Sequence, residues 1–385
     1  MKFMHISDLH IGKQLCHYNM RVEQSDILQK IVNIAAAESV DAVLIAGDIY
    51  DKSVPSAEAV AVFDEFLTGL HALDKEIFLI AGNHDSAERI DYAGEILARH
   101  KVHIAGMPPR NQEEYLHKAV LTDTYGEVNV YLLPFIKPMY VRSMFQEKET
   151  LSYEEAVAGL LDREQVDTSV RNVLVAHQFF VSGTNETMRG DTELLLMGGI
   201  DKVDVSVLPD FDYAAFGHIH RAQRIGNDAY RYSGTPLAYS VKESDYEKTV
   251  TIAELNEKGS KPVIRQIPLE PLRKITVLRG TLAQVLEEAK RYAEDYVSIT
   301  LTDEQDPYKP KERLEEVYPY ILEIQIDNSR TRQIMNTEGD IQEDVDPLTV
   351  FEGFFYEVQG RSMNEAEESL FRNMLNETIG TEGEV

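Results

Sequence analysis

The feature that most constrains the fold is a series of apolar runs, typical of buried strands, that each end in a polar side chain able to bind a metal ion. Residues 42–46 are wholly apolar and are followed at once by Gly47 and Asp48. In an open α/β sheet, functional residues lie in the crevice outside the carboxyl ends of the strands. One strand that ends in Gly-Asp is commonplace, but four other strand ends in this chain carry candidate metal-ligand side chains.

The five strand-end segments together supply seven candidate metal ligands. In chain order these are Asp8, His10, Asp48, Asn83, His177, His218 and His220. The first two belong to a short strand predicted over residues 3–9, where alternation places Asp8 and His10 on the same side. Each motif alone could also have a structural role instead of a metal-binding one. Asp8, for example, could be a capping residue and His10 a surface residue. It is improbable that all of these residues lie at successive strand ends by chance.

The chemistry of these side chains indicates two metal ions. Carboxylates, an amide oxygen and imidazoles suit Mn, Fe or Zn better than Ca, which prefers oxygen alone. Cys16 is the single cysteine, so a closed structural zinc site with cysteine ligands is not expected. Seven ligands are too many for one ion, but they suit two ions that share one carboxylate. Such pairs clamp the attacking and leaving oxygens of an in-line displacement.

Alternating strand and helix patterns predict an α/β layered fold. Helical spacing of apolar residues predicts helices over residues 20–39 and 55–73, and a third helix follows Ser86 up to about His100. Buried strands are predicted over 40–46, 76–81 and 172–176. The strand-rich stretches 229–239, 249–255 and 262–269 have no helices between them, which suggests the second face of a sandwich.

Composition narrows the class of protein. The net charge of −28 argues against a broad electrostatic footprint for nucleic acid, although bound divalent cations reverse the local field. Residues 340–385 hold twelve Asp or Glu against two Lys or Arg, so much of this charge is segregated. We find no apolar run long enough to span a bilayer and no signal peptide, so we expect a cytoplasmic protein without a membrane partner.

The C-terminal third predicts separate units. The pattern of residues 273–327 predicts a strand, a helix, a strand, a helix and a strand, in that order. Residues 328–346 are polar, and we predict that they form a linker. Residues 348–359 and 363–379 predict two amphipathic helices, whose apolar stripe needs either a partner surface or this chain's own core. We therefore divide the chain into residues 1–270, a small α/β cap at 271–327, a linker at 328–346 and C-terminal helices at 347–385.

Taken in order, the motifs resemble the calcineurin-like metallophosphoesterase superfamily. These motifs are Asp-x-His, Gly-Asp-x-x-Asp, Gly-Asn-His-Asp, a lone His after a strand, and Gly-His-x-His. The segments around Asp8–Lys13, Gly82–Ser86 and Val175–Phe179 are most similar to the SbcD family of bacterial nuclease subunits. The resemblance implies a two-sheet αββα sandwich over residues 1 to about 270, with a small cap and C-terminal helices beyond it.

The resemblance also implies roles for individual residues. Asp8, His10, Asp48 and His220 would hold one ion, and Asp48, Asn83, His177 and His218 the other, with Asp48 bridging. His84 is not a ligand in the family, and would stabilise the scissile phosphate or protonate the leaving 3′-oxygen. Asp85 would orient His84, and Asp51 would support the site or contact a water.

For function, the resemblance implies a Mn²⁺-dependent DNA nuclease. Expected activities are 3′-to-5′ cleavage at double-stranded ends and endonucleolytic cleavage of single strands and hairpins, in DNA repair, recombination and replication. A homodimer bound to an SbcC-like coiled-coil ATPase is expected, with residues 348–379 as the docking element. A phosphodiesterase for small esters and a non-catalytic scaffold are the alternatives. The extra cap and the complete ligand set argue against them.

Two cationic residues are candidate substrate contacts. Arg89 follows the Gly-Asn-His-Asp motif and Lys13 follows the Asp-x-His motif. Either could contact a DNA phosphate, but a surface salt bridge is nearly as plausible for each. His5 lies within an apolar strand, and we expect a packed, hydrogen-bonded histidine there rather than a ligand.

Overall fold

The computed structural model describes residues 1–145, 150–183, 201–305 and 307–332, together with Phe351, Phe355, residues 361–364, Glu367 and Glu368. The chain forms two compact units. The larger unit comprises residues 1–278, 286–299 and 311–324, and it contains every candidate site residue. The second unit comprises residues 279–285, 300–310 and those from 325 onward.

The described residues form the following strands and helices. The strands are β1 (Lys2–Ile6), β2 (Gln14–Leu15), β3 (Tyr18–Asn19), β4 (Ala42–Ile45), β5 (Glu76–Ile80), β6 (Val102–Ala105), β7 (His117–Asp123), β8 (Gly126–Leu133), β9 (Arg171–His177), β10 (Phe179–Val181), β11 (Lys202–Asp204), β12 (Tyr213–Gly217), β13 (Gln223–Ile225), β14 (Asn227–Tyr232), β15 (Thr249–Glu254), β16 (Val263–Pro268), β17 (Ile275–Gly280), β18 (Tyr296–Leu301) and β19 (Ile321–Ile326). The helices are α1 (Arg21–Ala37), α2 (Ala57–His71), α3 (Ala87–Ile90), α4 (Gly94–Ala98), α5 (Pro138–Val141), α6 (Tyr153–Glu164), α7 (Leu282–Tyr292) and α8 (Pro310–Glu315).

Two six-stranded mixed sheets build the larger unit. The first has the order β16-β15-β1-β4-β5-β6, in which β1, β4, β5 and β6 are parallel. The second has the order β13-β14-β12-β9-β8-β7, in which β14, β12, β9 and β8 are parallel. The parallel strands of each sheet therefore end at one edge, where their following loops meet.

Side chains on successive residues of β1 show how the layers stack. Phe3 packs in a buried cluster with Phe78, Val130 and Val175, which come from both sheets, so this face is the interior of the sandwich. Met4 packs instead in a cluster with residues of α1 and α2. Residues of α6 cover the outer face of the second sheet in the same way. The predicted two-sheet αββα sandwich is confirmed.

Burial on both faces explains why the strands read as continuous apolar runs rather than as alternating ones. Serine side chains cap two of the helices, although Ser86, which precedes α3, makes no such hydrogen bond. Ser56 Oγ accepts a hydrogen bond from Ala59 N at 3.2 Å, and Ser152 forms a capping box with Glu155 at the start of α6.

Two details of the predicted topology are wrong. The helix expected from Ser86 to about His100 is split into α3 and α4, because Ala93 between them adopts a left-handed backbone with φ of 62°. The strands expected to form the second face do not stay together. β14 joins the second sheet, whereas β15 and β16 extend the first by antiparallel pairing with β1.

The strand and helix order predicted for residues 273–327 is confirmed, since β17, α7, β18, α8 and β19 follow in that order. The three strands form a separate sheet in the order β17-β18-β19. Nearly all of the predicted linker and C-terminal helices lies outside the described residues, and the domain boundaries given above stay a prediction. Within the described part of the chain, no helix is long and apolar enough to cross a membrane.

His5 on β1 connects the two sheets. Its Nδ1 lies 2.9 Å from the Tyr213 hydroxyl and its Nε2 lies 3.2 Å from the Phe216 carbonyl oxygen, both in β12. The expectation of a packed, hydrogen-bonded histidine is confirmed. Burial lowers the pKa of His5 from 6.5 to about 3, because the interior disfavours the imidazolium.

The buried His5 predicts an acid-dependent loss of stability. Its contribution is fully present above pH 6.5 and is lost as the pH falls from 6.5 toward 3. Between about pH 7.5 and about pH 5.5, this loss lowers the free energy of unfolding of the wild-type chain by about 1.4 kcal/mol. We expect His5→Gln to lack this pH-dependent loss. The measurement is the free energy of urea unfolding in EDTA at both pH values, with the exposed His71→Gln as control. Equal losses in His5→Gln and wild type would contradict the assignment.

Candidate metal centre

The carboxyl ends of five strands bring all seven predicted ligands into one cluster. Asp8 and His10 follow β1, Asp48 follows β4 and Asn83 follows β5, so these four come from the first sheet. His177 ends β9, and His218 and His220 follow β12. Pairing of Gly217 with His177 sets the second-sheet contributions side by side. All seven are buried or half-buried.

One group within the cluster contains Asp8, His10 and His220. A ligand atom from each lies within 4.8 Å of the others. The Nε2 atoms of His10 and His220 are 3.1 Å apart. A second group is centred on Asn83, whose Oδ1 lies 3.1 Å from His177 Nε2 and 3.0 Å from His218 Nδ1. These groups are the two ligand sets that the resemblance implies, apart from the shared carboxylate.

Asp48 lies between the two groups. Its Oδ1 accepts a hydrogen bond from the backbone N–H of His84 at 2.9 Å. Its Oδ2 faces both groups, at 3.5 Å from His177 Nε2 and 3.7 Å from His10 Nε2. This is the position that a bridging carboxylate requires.

The donor atoms fit divalent metal ions. His177 Nδ1 lies 2.7 Å from the Ala46 carbonyl oxygen and donates its proton to it. In the neutral ring, the lone pair of His177 Nε2 then faces carboxylate and amide oxygens, an arrangement that a cation stabilises. His10 Nδ1 and His218 Nε2 are also buried without a hydrogen-bond partner among the residues that the structure describes. Mixed imidazole and oxygen ligands are typical of transition-metal sites.

The loops that carry the ligands have an unusual backbone. Asp8, His10, Asp48 and His218 have φ values of 53°, 44°, 51° and 102°. The extended segment predicted for residues 3–9 is therefore wrong beyond Ile6, where β1 ends. Asp8 N donates to Gly47 O and His10 N donates to Asp48 O, each at 3.0 Å. These bonds join the loop after β1 to the loop after β4, and such backbone strain clusters at functional sites.

Comparison with known proteins decides the family. Residues 1–222 match the calcineurin-like phosphoesterase family. This chain belongs to that family. The predicted family is thus confirmed.

Further similarities extend over the whole chain. Residues 270–359 match a domain family described as the type 5 capsule protein repressor C-terminal domain. The chain is 27% identical over 390 residues to the SbcD subunit of the nuclease SbcCD from Staphylococcus epidermidis, covering 100% of both proteins. It is also 27% identical over 369 residues to the same-named protein of Staphylococcus saprophyticus, covering 94% of each. Among solved structures, a dimetal phosphatase from Danio rerio is 14% identical with a TM-score of 0.42, covering 71% of this chain and 98% of that one.

Electrostatics in this phosphoesterase site centre on a pair of buried groups. Burial alone would raise the pKa of Asp48, but His177 holds that pKa well below its usual value. Burial likewise opposes protonation of His177, but Asp48 raises its pKa to about 9. The two therefore behave as an ion pair, and a divalent ion at His177 Nε2 would take the place of the proton. Burial lowers the pKa of His10 and His218, which favours the neutral, ligating form.

Neighbouring groups fix the orientation of the ligands. The Asp8 carboxylate accepts from the backbone N–H of His218 at 3.0 and 3.1 Å and from the Ser7 hydroxyl. His220 Nδ1 lies 3.2 Å from Glu243 Oε1, and the buried Glu243 is paired with Lys248 at 2.8 Å. Sequence analysis missed Glu243 and Lys248, because no motif or apolar period marks residues 233–248.

His84 lies beside the cluster in an orientation set by the backbone. Its Nδ1 is 2.9 Å from the Asp51 carbonyl oxygen, so Nδ1 carries the donated proton and Nε2 is left for a substrate. Among the described residues, Asp85 does not orient the His84 ring by a direct hydrogen bond, as the predicted role would suggest. The Asp85 carboxylate instead accepts from the backbone N–H groups of Ile49, Tyr50 and Gly82 at 2.9–3.0 Å. Asp85 thereby links the loops after β4 and β5.

The three remaining candidates fall in different surroundings. Lys13 Nζ lies 3.0 Å from Asp51 Oδ1, and both side chains are largely buried, so Lys13 forms an ion pair. The same oxygen lies 4.0 Å from His10 Nδ1, which agrees with the supporting position expected for Asp51. Arg89 is exposed on α3 and makes no ion pair within the described part of the chain.

Glu243 predicts a measurable effect on metal affinity. Residues that orient a metal-bound histidine typically contribute 10- to 100-fold to affinity, so we expect Glu243→Gln to weaken Mn²⁺ binding by roughly that factor. Isothermal titration of the metal-free protein with Mn²⁺ measures it, and the exposed Glu257→Gln is the matched control. Unchanged affinity in Glu243→Gln would show that this carboxylate does not support a metal ligand.

Proposed function

We propose that this phosphoesterase is a metal-dependent DNA nuclease that hydrolyses phosphodiester bonds with two divalent ions, with Mn²⁺ as the proposed metal. The observation that carries the proposal is the position of Asp48 Oδ2 between two groups of ligand atoms. One ion would be held by Asp8, His10 and His220, and the other by Asn83, His177 and His218. Asp48 would belong to both sets.

The choice of DNA as substrate is supported by the relatives. Both proteins named as the SbcD subunit of a nuclease match this chain from end to end or nearly so. The similarity therefore includes the region beyond the sandwich, which a phosphodiesterase for small esters does not need. We accordingly propose 3′-to-5′ exonuclease activity on double strands and endonuclease activity on single strands and hairpins. Repair, recombination and replication of DNA in the cytoplasm are the proposed setting.

The chain's own residues have distinct tasks in this reaction. Bound divalent ions would act as Lewis acids, and they would lower the pKa of a bound water so that it can ionise near neutral pH. His84 would face the reacting phosphate through Nε2, because the Asp51 carbonyl engages Nδ1. From there it would donate a proton to the leaving 3′-oxygen or stabilise charge on a non-bridging oxygen. Asp85 holds the loop beneath His84 through three backbone N–H groups.

We also propose that the C-terminal region binds an SbcC-like coiled-coil ATPase. Both relatives are named as one part of SbcCD. The rings of Phe351 and Phe355 lie 6.4 Å apart, as expected for one turn of an amphipathic helix that enters a groove. The proposed assembly contains a homodimer of this chain, and residues 328–346 would link the docking helices to the cap.

His84 should be essential for cleavage but not for metal binding. We expect His84→Asn to lower the cleavage rate of DNA by at least about 100-fold, the usual scale for a general acid. Calorimetry should still detect Mn²⁺ binding, because His84 is not in either proposed ligand set. The matched control is the exposed His71→Asn. Cleavage at the wild-type rate by His84→Asn would refute its role.

Phe351 should be required for binding of the ATPase partner. A buried carboxylate without a partner is strongly unfavourable, so Phe351→Asp should weaken binding of the SbcC-like ATPase by at least about tenfold. Size-exclusion chromatography and fluorescence anisotropy with the purified partner measure this. Ser362→Asp adds the same charge to an exposed position of the tail and should leave the affinity unchanged. Equal affinities for both variants would exclude Phe351 from the docking surface.

The proposed function is tested directly with two substrates. The purified chain with Mn²⁺ is assayed on end-labelled duplex DNA and on bis-p-nitrophenyl phosphate, with and without the ATPase partner. Duplex cleavage that rises with the partner and ATP supports a nuclease that works as part of a larger complex. Robust turnover of the small ester with no DNA cleavage in either condition would favour a phosphodiesterase instead. Inactivity on both substrates with Mn²⁺ bound would favour the scaffold.

A further inference from the structure

A cavity of about 550 Å³ opens beside the candidate metal centre. Asn83 forms part of its wall, and Asn83 Oδ1 also touches His177 and His218. The cavity is therefore adjacent to the second proposed metal position. Sites for small molecules usually have volumes of roughly 300–1,000 Å³, so this cavity has room for about one nucleotide.

Two aromatic side chains line the cavity. Phe135 follows β8, and its backbone N–H donates to Ala81 O at 2.9 Å, which places it at the end of β5 near Asn83. Its ring is stacked on His218 at 6.5 Å, with an interplanar angle of 21°. Tyr140 on α5 is 52% exposed. Aromatic faces of this kind are the usual platforms on which nucleic-acid bases stack, whatever the sequence.

Two cations complete the wall. Lys137 and Arg110 are exposed, and neither forms an ion pair with any residue in the described ranges. The backbones of Lys137 and Tyr140 are held together, because Tyr140 N donates to Lys137 O at 2.8 Å. Two cations without an ion-pair partner in the described part of the chain are notable beside the candidate metal centre, because the net charge of the whole chain is −28. They suit the phosphates of a nucleic-acid backbone.

Among the described residues, neither acidic residue of the cavity forms an ion pair with these cations. The Asp85 carboxylate is turned toward three backbone N–H groups. Glu88 is exposed and accepts from the Ser86 hydroxyl at 3.3 Å. The cavity thus presents aromatic faces and cations in the same wall as Asn83, one of the proposed metal ligands.

We propose that this cavity binds the nucleotide next to the scissile phosphate, with its base against Tyr140 and Phe135 and its flanking phosphate on Lys137 and Arg110. This inference rests on the proposed function and specifies the substrate further. A base enclosed in a cavity with room for about one nucleotide must have left the duplex, because its paired base does not fit beside it. The strand end that reaches the metals is therefore single-stranded or frayed at this nucleotide.

The test measures binding and cleavage separately in the Mn²⁺-loaded full chain. Binding is followed by the anisotropy of a fluorescein-labelled, phosphorothioate-linked single-stranded oligonucleotide, which resists hydrolysis. We expect Tyr140→Ala and Lys137→Ala each to weaken binding about tenfold, within the range for losing one stacking or phosphate contact. Lys137→Ala should also reduce the slope of log affinity against log salt by about 0.7, whereas Tyr140→Ala should not change the slope.

Lys261→Ala is the charge-matched control. Lys261 lies between β15 and β16, and pairing of Glu254 with Lys2 places that turn at the end of the sheet opposite the metal centre. Thermal unfolding and Mn²⁺ stoichiometry confirm that each variant is folded. Binding of Tyr140→Ala and Lys137→Ala equal to that of Lys261→Ala would overturn the inference.

Cleavage of the matching phosphodiester oligonucleotide separates this inference from the proposed function. If the wild-type chain binds DNA but does not cleave it, the nuclease proposal fails, while weaker binding by the two cavity variants still supports the nucleotide site. If it cleaves DNA and the variants bind normally, only the nucleotide site fails. A wild-type chain that does not bind the oligonucleotide would overturn both.

Discussion

The rest of the structure depends on one buried carboxylate, that of Asp48. An ionised carboxylate in the protein interior is costly unless opposite charges and hydrogen-bond donors surround it. The backbone N–H of His84 satisfies one oxygen, and the imidazoles of His10 and His177 face the other. Because these partners come from three strands in two sheets, the position of Asp48 requires both sheets to end at one place.

The backbone around Asp48 is shaped by this requirement. A side chain at Gly82 would collide with the Asp48 carboxylate, and one at Gly217 would collide with the Ala46 carbonyl and the His177 ring. Asp85 uses both of its carboxylate oxygens to hold the loops after β4 and β5 together. Left-handed backbone at Asp8, His10 and Asp48 stores strain that these contacts hold in place. The loops are thus preorganised for ions rather than for a packed core.

The sequence predicted the site better than its surroundings. Ligands at the ends of buried strands are predictable, because apolar runs followed by Asp, Asn or His leave a clear local pattern. Glu243 was not predictable, since it reaches His220 only through tertiary packing. The role of Asp85 was misread because its partners are backbone N–H groups, which carry no sequence signal. The sheet to which β15 and β16 belong was misassigned for a similar reason, because strand pairing depends on long-range contacts.

The central claim is that seven side chains hold two ions that share Asp48. The most direct measurement is an electron paramagnetic resonance titration of the metal-free chain with Mn²⁺. We expect two ions per chain with spin coupling between them, as for ions about 3.5–4 Å apart, and loss of the coupling in Asp48→Asn. A single bound ion, or two uncoupled ions in the wild-type chain, would contradict the account.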